Sequence, residues 1–199
     1  MMSSRIQVDS ALVEAARRGD SRAIELVLDA ALPVVLQWCA RLGGPSVDAE
    51  DACHDVGLIL LTRLVELRDP QRFPSWLFGS TRRVLAAHRR RAWLRRWVPG
   101  LKDDPADPSA DPARAAEAAE VGGLVQRALE ELPAAQREAL ILFDLEERSE
   151  AEVAELLDIP IGTARSRVRL ARVAFQRAAR RHNLVGEVVA LPTRSDRHA

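Results

Sequence analysis

The chain predicts an all-α protein: two small helical domains joined by an acidic, proline-rich linker, the second containing a helix-turn-helix. Three observations carry that prediction. Alanine, leucine, arginine and glutamate dominate the 199 residues, β-branched runs are short, and no segment alternates apolar and polar residues as a half-buried strand would. Val98–Pro112, VPGLKDDPADPSADP, holds four prolines and four aspartates with almost nothing to bury. Ser149–Phe175 reads as a short capped helix, a tight turn and a longer helix with opposed apolar and basic faces.

These signals place a helical domain over 1–97, the linker over 98–112, the helix-turn-helix domain over 113–182 and a tail over 183–199. In the first domain a helix is expected over about Ser10–Arg18, ended by Gly19. A second covers about Ser21–Leu42, bent near Pro33 and stopped by Gly43-Gly44. The third, about Val47–Leu67, aligns Val56, Leu60, Leu64 and Leu67 on one side. The fourth covers about Ser75–Trp97. After the linker, helices are expected near Ala113–Leu132 and Pro133–Glu146, followed by the helix-turn-helix pair.

In that pair, Ser149 and Glu152 form a capping box ahead of Val153, Leu156 and Leu157. Asp158-Ile159-Pro160 stops the helix, and Pro160 suits the first turn of the next. At ~100° per residue, Ala164, Val168, Ala171 and Phe175 share one stripe of the second helix. Arg165, Ser166, Arg169 and Val173 point the opposite way, with Arg167 and Arg172 flanking the stripe. An apolar back and an arginine-serine front suit a helix that enters the DNA major groove. Helix pairs without a nucleic-acid role share the pattern, so charge must weigh in.

The formal net charge is zero, yet it is a cancellation. Residues 1–97 carry a net +4, 98–124 a net −4, 125–159 a net −7 and 160–199 a net +7. Such polarised blocks suit a modular protein whose basic faces meet phosphate and whose acidic faces meet a basic partner.

The fourth helix is a second nucleic-acid candidate. Between Arg68 and Trp97, Asp69 is the only acid, while Arg72, Arg82, Arg83, Arg89, Arg90, Arg91, Arg95 and Arg96 interleave with Phe73, Trp76, Phe78, Trp93 and Trp97. Guanidinium groups track a backbone, and accessible rings take unstacked bases at ~1–3 kcal/mol each. Trp76, Leu77, Val84 and Leu85 also suit a core, and Trp93 and Trp97 fit either role.

The N-terminus MMSSRIQVDS lacks the apolar core of a signal peptide, no run of eighteen apolar residues exists, and two cysteines make no disulfide framework. A cytoplasmic protein with reduced thiols and no membrane insertion is expected. His54-Asp55 with Glu50 and Asp51 would be the start of a metal site. A histidine-aspartate phosphohydrolase needs an upstream histidine, however, and Met1–Cys53 contains none. With no Gly-rich phosphate loop and no paired Cys motif, no enzyme, catalytic residue, metal or cofactor is expected.

Taken in order, the motifs resemble the extracytoplasmic-function branch of bacterial RNA polymerase sigma factors. That family carries DAED followed by a polar-polar-acid-Val-aromatic stretch, here Asp48-Ala49-Glu50-Asp51-Ala52-Cys53-His54-Asp55-Val56-Gly57. An aromatic-x-x-Trp-Leu motif opens its minus-ten helix, here Phe73-Pro74-Ser75-Trp76-Leu77. Leu132-Pro133 with Arg137, then Ile159-Pro160-Ile161-Gly162-Thr163-Ala164-Arg165-Ser166-Arg167, match its second domain. Departures are Gly57 for a large aromatic, Arg83 and Ala87 for asparagine and aspartate, and Leu170 for a common arginine.

The resemblance implies a protein that binds core RNA polymerase, reads the minus-thirty-five and minus-ten elements of promoter DNA, duplex and melted, and helps open it. Asp48, Glu50, Asp51 and Asp55 would face the polymerase. Phe73, Trp76, Arg82, Arg83, Arg89, Arg90 and Arg91 would serve the minus-ten element and melting. Arg165, Ser166, Arg169 and Leu170 would face minus-thirty-five base edges, with Thr163, Arg167 and Arg172 beside them. An anti-sigma factor is an implied further partner. The competing reading is a helix-turn-helix regulator that acts without core-polymerase exchange; it leaves the arginine-tryptophan helix and the acidic linker unexplained. The sequence predicts that protease cuts the free protein between about Pro99 and Pro112 and leaves two folded helical fragments. Mass spectrometry of a limited digest checks this.

Overall fold

A computed structural model describes residues 6, 8–95 and 122–182. The predicted linker, the 183–199 tail, Trp97 and the start of the helix expected from Ala113 lie outside the described residues. Among the described residues all regular structure is helical. Backbone proximity groups the chain into two compact units, Met1–Pro99 with Ala151–Pro160, and Gly100–Glu150 with Ile161–Ala199.

Helix α1 (Ser10–Arg17) is capped by Asp9, whose carboxylate accepts from the Ala11 N–H. It ends as a glycine stop should. Gly19 takes φ +92°, its N–H bonds the Ala16 carbonyl, and the Asp20 N–H bonds that of Ala15. Asp20 then caps α2 (Ser21–Gly43), accepting from the Ala23 N–H at 3.0 Å. Pro33 lies inside α2, where it cannot donate to the Asp29 carbonyl.

By length and composition α2 would pass as a membrane span. It instead supplies the core of this unit through Val27, Ala31, Val35, Trp38 and Cys39. Trp38 and Phe78 meet edge to face, 4.9 Å between centroids.

Helix α3 (Ala49–Arg63) begins at Asp48, which accepts from both Glu50 and Asp51 N–H groups at 2.8 and 2.9 Å. A 3₁₀ turn, Leu64–Glu66, extends it. The expected stripe Val56, Leu60, Leu64 and Leu67 is buried. α3 lies close to α2 because its facing positions are small. The Cys53 thiol donates to the Leu32 carbonyl at 3.6 Å, and Gly57 is buried beside Leu32. A Cβ at Gly57 would stand 3.4 Å from Leu32 Cδ2, so the ring usual in the resembled family would meet the Leu32 side chain there.

A second 3₁₀ turn, Pro70–Arg72, leads into α4 (Phe73–Arg95). Leu77, Phe78, Val84 and Leu85 are buried. So are the hydroxyls of Ser80 and Thr81, each satisfied by the carbonyl one turn back, Trp76 and Leu77.

In the second unit, α5 (described over 122–130) contributes Ala128 and Leu129 to the core. α6 (Ala134–Leu140) runs into a π turn, Ile141–Leu145, closed by the Glu146 N–H on the Ile141 carbonyl. One α-helix was expected there, and period alone does not reveal the wider turn. α8 (Ile161–Arg181) packs Ala164, Val168, Ala171, Phe175 and Ala178 inward, as its stripe requires. Its last turn is tied by Arg181 and His182 to Glu131, and those donors hold the Glu131 carboxyl below its usual range.

The short helix before α8, α7 (Glu150–Leu157), starts directly after Ser149. Its stop is a Schellman motif with an aspartate where glycine is usual. Asp158 takes φ +54°, its N–H bonds the Glu155 carbonyl, and the Ile159 N–H bonds that of Ala154. Aspartate is among the residues that tolerate this region.

Two expected outcomes rest on this core. Phe78→Ala should lower stability by about 3–5 kcal/mol, because it opens a cavity against the fully buried Trp38; denaturant titration followed by tryptophan fluorescence measures it. Burial, helped by nearby Cys53, pushes the Cys39 thiol up to about 12. The thiolate is the reactive form, so at pH 8 Cys39 should label about 1000-fold more slowly in the folded protein than in urea. Timed alkylation with peptide mapping reads this.

Candidate polymerase and nucleic-acid interfaces

Periodicity on α3 decides what Asp51 and its neighbours can touch. With Val56, Leu60, Leu64 and Leu67 facing inward, the opposite side presents Asp51, His54, Leu58, Leu61 and Val65 in one exposed row. Leu58, Leu61 and Val65 are 47%, 52% and 64% exposed, an uncovered apolar stripe continuous with the acidic start of the helix. Sequence reasoning passed over these three. Their spacing of three and four residues was a visible signal, masked because α3 is apolar on two sides.

The four acidic candidates separate. Glu50 and Asp51 face solvent at the first turn. Asp48 is exposed, but one of its oxygens is engaged by two N–H groups of its own helix. Asp55 departs from the expected exposed face. It is turned about 40° further round the helix than Asp51, towards α4, where His88 Nε2 lies 2.8 Å from its carboxylate and Arg91 4.0 Å. Asp55 therefore joins α3 to α4, and a pairing across thirty-three residues is invisible to local pattern. His54 and Asp55 point differently, and among the described residues no three His, Cys, Asp or Glu side chains form a metal-holding group.

On α4 the aromatic candidates also divide. Phe73 is buried, with 1% of its surface exposed, so in this structure its ring packs the core and offers no base platform. Its position four residues before the buried Leu77 explains why. Trp76 is half-buried and stacks on Phe73, centroids 6.3 Å apart. Arg82 is half-buried; Arg83 is exposed and donates to Ser80 Oγ at 2.9 Å. Arg89 is half-buried, Arg90 and Arg91 are exposed, and Trp93 is 57% exposed. At 100° per residue Arg82, Arg83, Arg90 and Trp93 fall on one outer face, while Arg91 turns to its α3 flank beside Asp55. The buried side of α4 fixes that orientation.

On α8, Thr163, Arg165, Ser166, Arg169 and Leu170 are exposed and Arg167 is half-buried. The first turn carries no acid, so its backbone N–H groups and dipole favour a negative ligand. Arg172 departs from the expected flank of a DNA surface. Its Nε and Nη2 donate to the two oxygens of Asp144, the former at 3.0 Å, and its guanidinium lies 5.0 Å from the centroid of the Phe143 ring. The hydrogen bonds it donates to Asp144 raise the Arg172 pKa against the opposing effect of burial. With the side edge of its fork on the Asp144 carboxylate and its plane by the Phe143 ring, Arg172 holds α8 to the π turn.

Arg172→Ala should thus lower stability by about 2–3 kcal/mol, leaving the nearly buried Asp144 carboxylate alone. Arg169→Ala should leave stability within about 0.5 kcal/mol and weaken DNA binding instead. Thermal melts run beside DNA titrations separate the two.

Comparison with known proteins fits this arrangement. Residues 27–95 match the family described as Sigma-70 region 2, and residues 122–175 the one described as Sigma-70, region 4. The chain is 32% identical over 186 residues to the ECF RNA polymerase sigma factor SigD of Mycobacterium tuberculosis, covering 90% of this chain and 84% of that one. It is 28% identical over 184 residues to the RNA polymerase sigma-H factor of Pseudomonas aeruginosa, covering 85% and 93%. Two solved structures share the fold. One is CnrH in complex with the cytosolic domain of CnrY, with a TM-score of 0.59, 23% identity, and coverage of 85% of this chain and 95% of that chain. The other is the sigma factor RpoE in complex with the anti-sigma factor NepR from Bartonella quintana, with a TM-score of 0.55, 22% identity and coverage of 80% and 98%. Two regions in family order, a helix with an arginine-rich exposed front and a relative matched over most of its length lead to one assignment: the chain belongs to the extracytoplasmic-function sigma factors, which bind core RNA polymerase and promoter DNA to start transcription.

Proposed function

We propose that the chemistry of initiation stays with the polymerase and that this chain supplies three separate surfaces. The observation that carries the reading is the division of α8 into a buried apolar back and an exposed front of Arg165, Ser166, Arg169 and Leu170. Arg165 and Ser166 take base edges of the minus-thirty-five element; Leu170 suits a thymine methyl group. Thr163 and Arg167, with the first turn of α8, hold phosphates and set register. Arg172 acts behind them, through the packing of α8.

The outer face of α4, with Arg82, Arg83, Arg90 and Trp93, receives the melting minus-ten strand. Trp76 and Trp93 are the rings within reach of an unstacked base, and the arginines follow the backbone. Phe73 supports Trp76 from below. Arg83 and Ala87, in place of asparagine and aspartate, give this face fewer base-reading groups and one more cation, which favours backbone capture over sequence selection.

The polymerase surface is the exposed row of α3. Glu50 and Asp51 steer towards a basic partner, and Leu58, Leu61 and Val65 give the apolar centre of the contact. The acidic segment Val98–Pro112 joins domains over 1–97 and 113–182 and lies along the basic nucleic-acid channel of the polymerase until RNA displaces it. The protein acts in the cytoplasm without catalysis of its own. Since the solved structures of like fold hold CnrY and the anti-sigma factor NepR, we further propose an anti-sigma partner for this chain. A regulator working without polymerase would have no use for the α3 row.

Transcription from a defined promoter by core polymerase, with and without this protein, tests the whole reading. Within it, Asp51→Arg combined with Leu58→Glu should abolish co-purification with core polymerase, a loss of several kcal/mol. Stability should change by no more than about 0.5 kcal/mol for such exposed sites. Asp55→Arg should behave differently, lowering stability by about 1 kcal/mol because it brings a cation against His88 and Arg91. Double-mutant protein that still binds core would place the interface elsewhere on this unit.

A further inference from the structure

Arg165, at the centre of the α8 front, has a partner on another helix. Its Nε donates to Glu150 Oε2 at 2.9 Å, and Nη2 lies 2.8 Å from the same oxygen in the ion pair. Glu150 is the first residue of α7 and lies fifteen positions back in the chain. The pair stands at the surface, Arg165 two-thirds exposed and Glu150 one-third.

The way the guanidinium is held matters more than the ion pair itself. Its five N–H groups form a planar fork. Nε–H and one Nη2–H make a side edge, and Glu150 takes that edge alone. The end edge, with one N–H from each terminal nitrogen, is left to other acceptors. Such an edge matches the O6 and N7 acceptors of guanine in the major groove. A free arginine reaches that geometry from many rotamers; a carboxylate on a neighbouring helix fixes the plane beforehand.

We propose that Glu150 is a specificity-determining positioning residue, which clamps the side edge of Arg165 and presents its end edge to a guanine of the minus-thirty-five element. The inference rests on the reading of the α8 front as the base-reading surface and adds a second residue to it. It runs against simple electrostatics. An acid near phosphate weakens all DNA binding, so removing it should tighten binding at every sequence. A positioning role predicts a loss at one base pair only.

The Arg165–Glu150 hydrogen bond also raises the Arg165 pKa. Glu150 has no need to touch DNA. Its carboxylate acts through the guanidinium plane.

The test uses holoenzyme, made from core polymerase and the full chain, on promoters randomised through the minus-thirty-five element, with transcripts counted by sequencing. Wild type is compared with Arg165→Ala, Glu150→Ala, Glu150→Gln and the double variant R165A/E150A, each checked by circular dichroism. Glu150→Ala should reduce guanine preference about 5–10-fold at the same position where Arg165→Ala loses it. Preferences at the other positions should stay. Glu150→Gln, which keeps one acceptor, should fall between, and the double variant should be no worse than Arg165→Ala alone. Full guanine preference in Glu150→Ala, or a loss spread evenly over all positions, overturns the proposal while leaving the α8 front intact. If Arg165→Ala itself changes no position selectively, the reading of the α8 front fails and this inference with it.

Discussion

The Arg172–Asp144 pair sets the rotation of the reading helix. An amphipathic helix with small inward residues such as Ala164, Ala171 and Ala178 can roll by a fraction of a turn at little cost, because alanine offers few interlocking contacts. Arg172 removes that freedom. Its fork meets both oxygens of a nearly buried carboxylate and its plane lies by the Phe143 ring, so only one rotation of α8 satisfies all three groups. Once that rotation is fixed, Arg165, Ser166 and Arg169 can face only outward. The cation nearest the apolar stripe is what aims the others.

The other unit solves a related problem with histidine. α4 carries a dense set of like charges that repel one another along one helix. Asp55 of α3 draws His88 and Arg91 to the α3 side, while Arg82, Arg83 and Arg90 stay on the outer face. A single carboxylate thereby relieves the crowding and ties two helices together. Small residues do the corresponding work between α2 and α3, where the Cys53 thiol reaches the Leu32 carbonyl and Gly57 lies against the Leu32 side chain.

Much of this was legible in the sequence because helices announce their faces by period. The stripe of Val56, Leu60, Leu64 and Leu67 and that of Ala164, Val168, Ala171 and Phe175 are buried as read. The helix start after Ser149 and the stop at Gly19 lie where the sequence signals put them. What escaped was every feature that depends on a partner distant in sequence. Asp55 and Arg172 read as surface charges because their partners are thirty-three and twenty-eight residues away. Phe73 read as a base platform because a motif gives a ring its place in the chain and not its depth. Glu150 carried no signal at all, since an acid at the first turn of a helix is already explained by the dipole.

The π turn at Ile141–Leu145 makes the length of this segment part of the anchor. A π turn accommodates one residue more than an α turn of nearly the same rise. Relative to an uninterrupted α6, the extra residue swings the downstream positions by about 100°, and Asp144 lies within the segment so displaced. The carboxylate that orients α8 thus owes its position to the length of this segment as much as to its own identity.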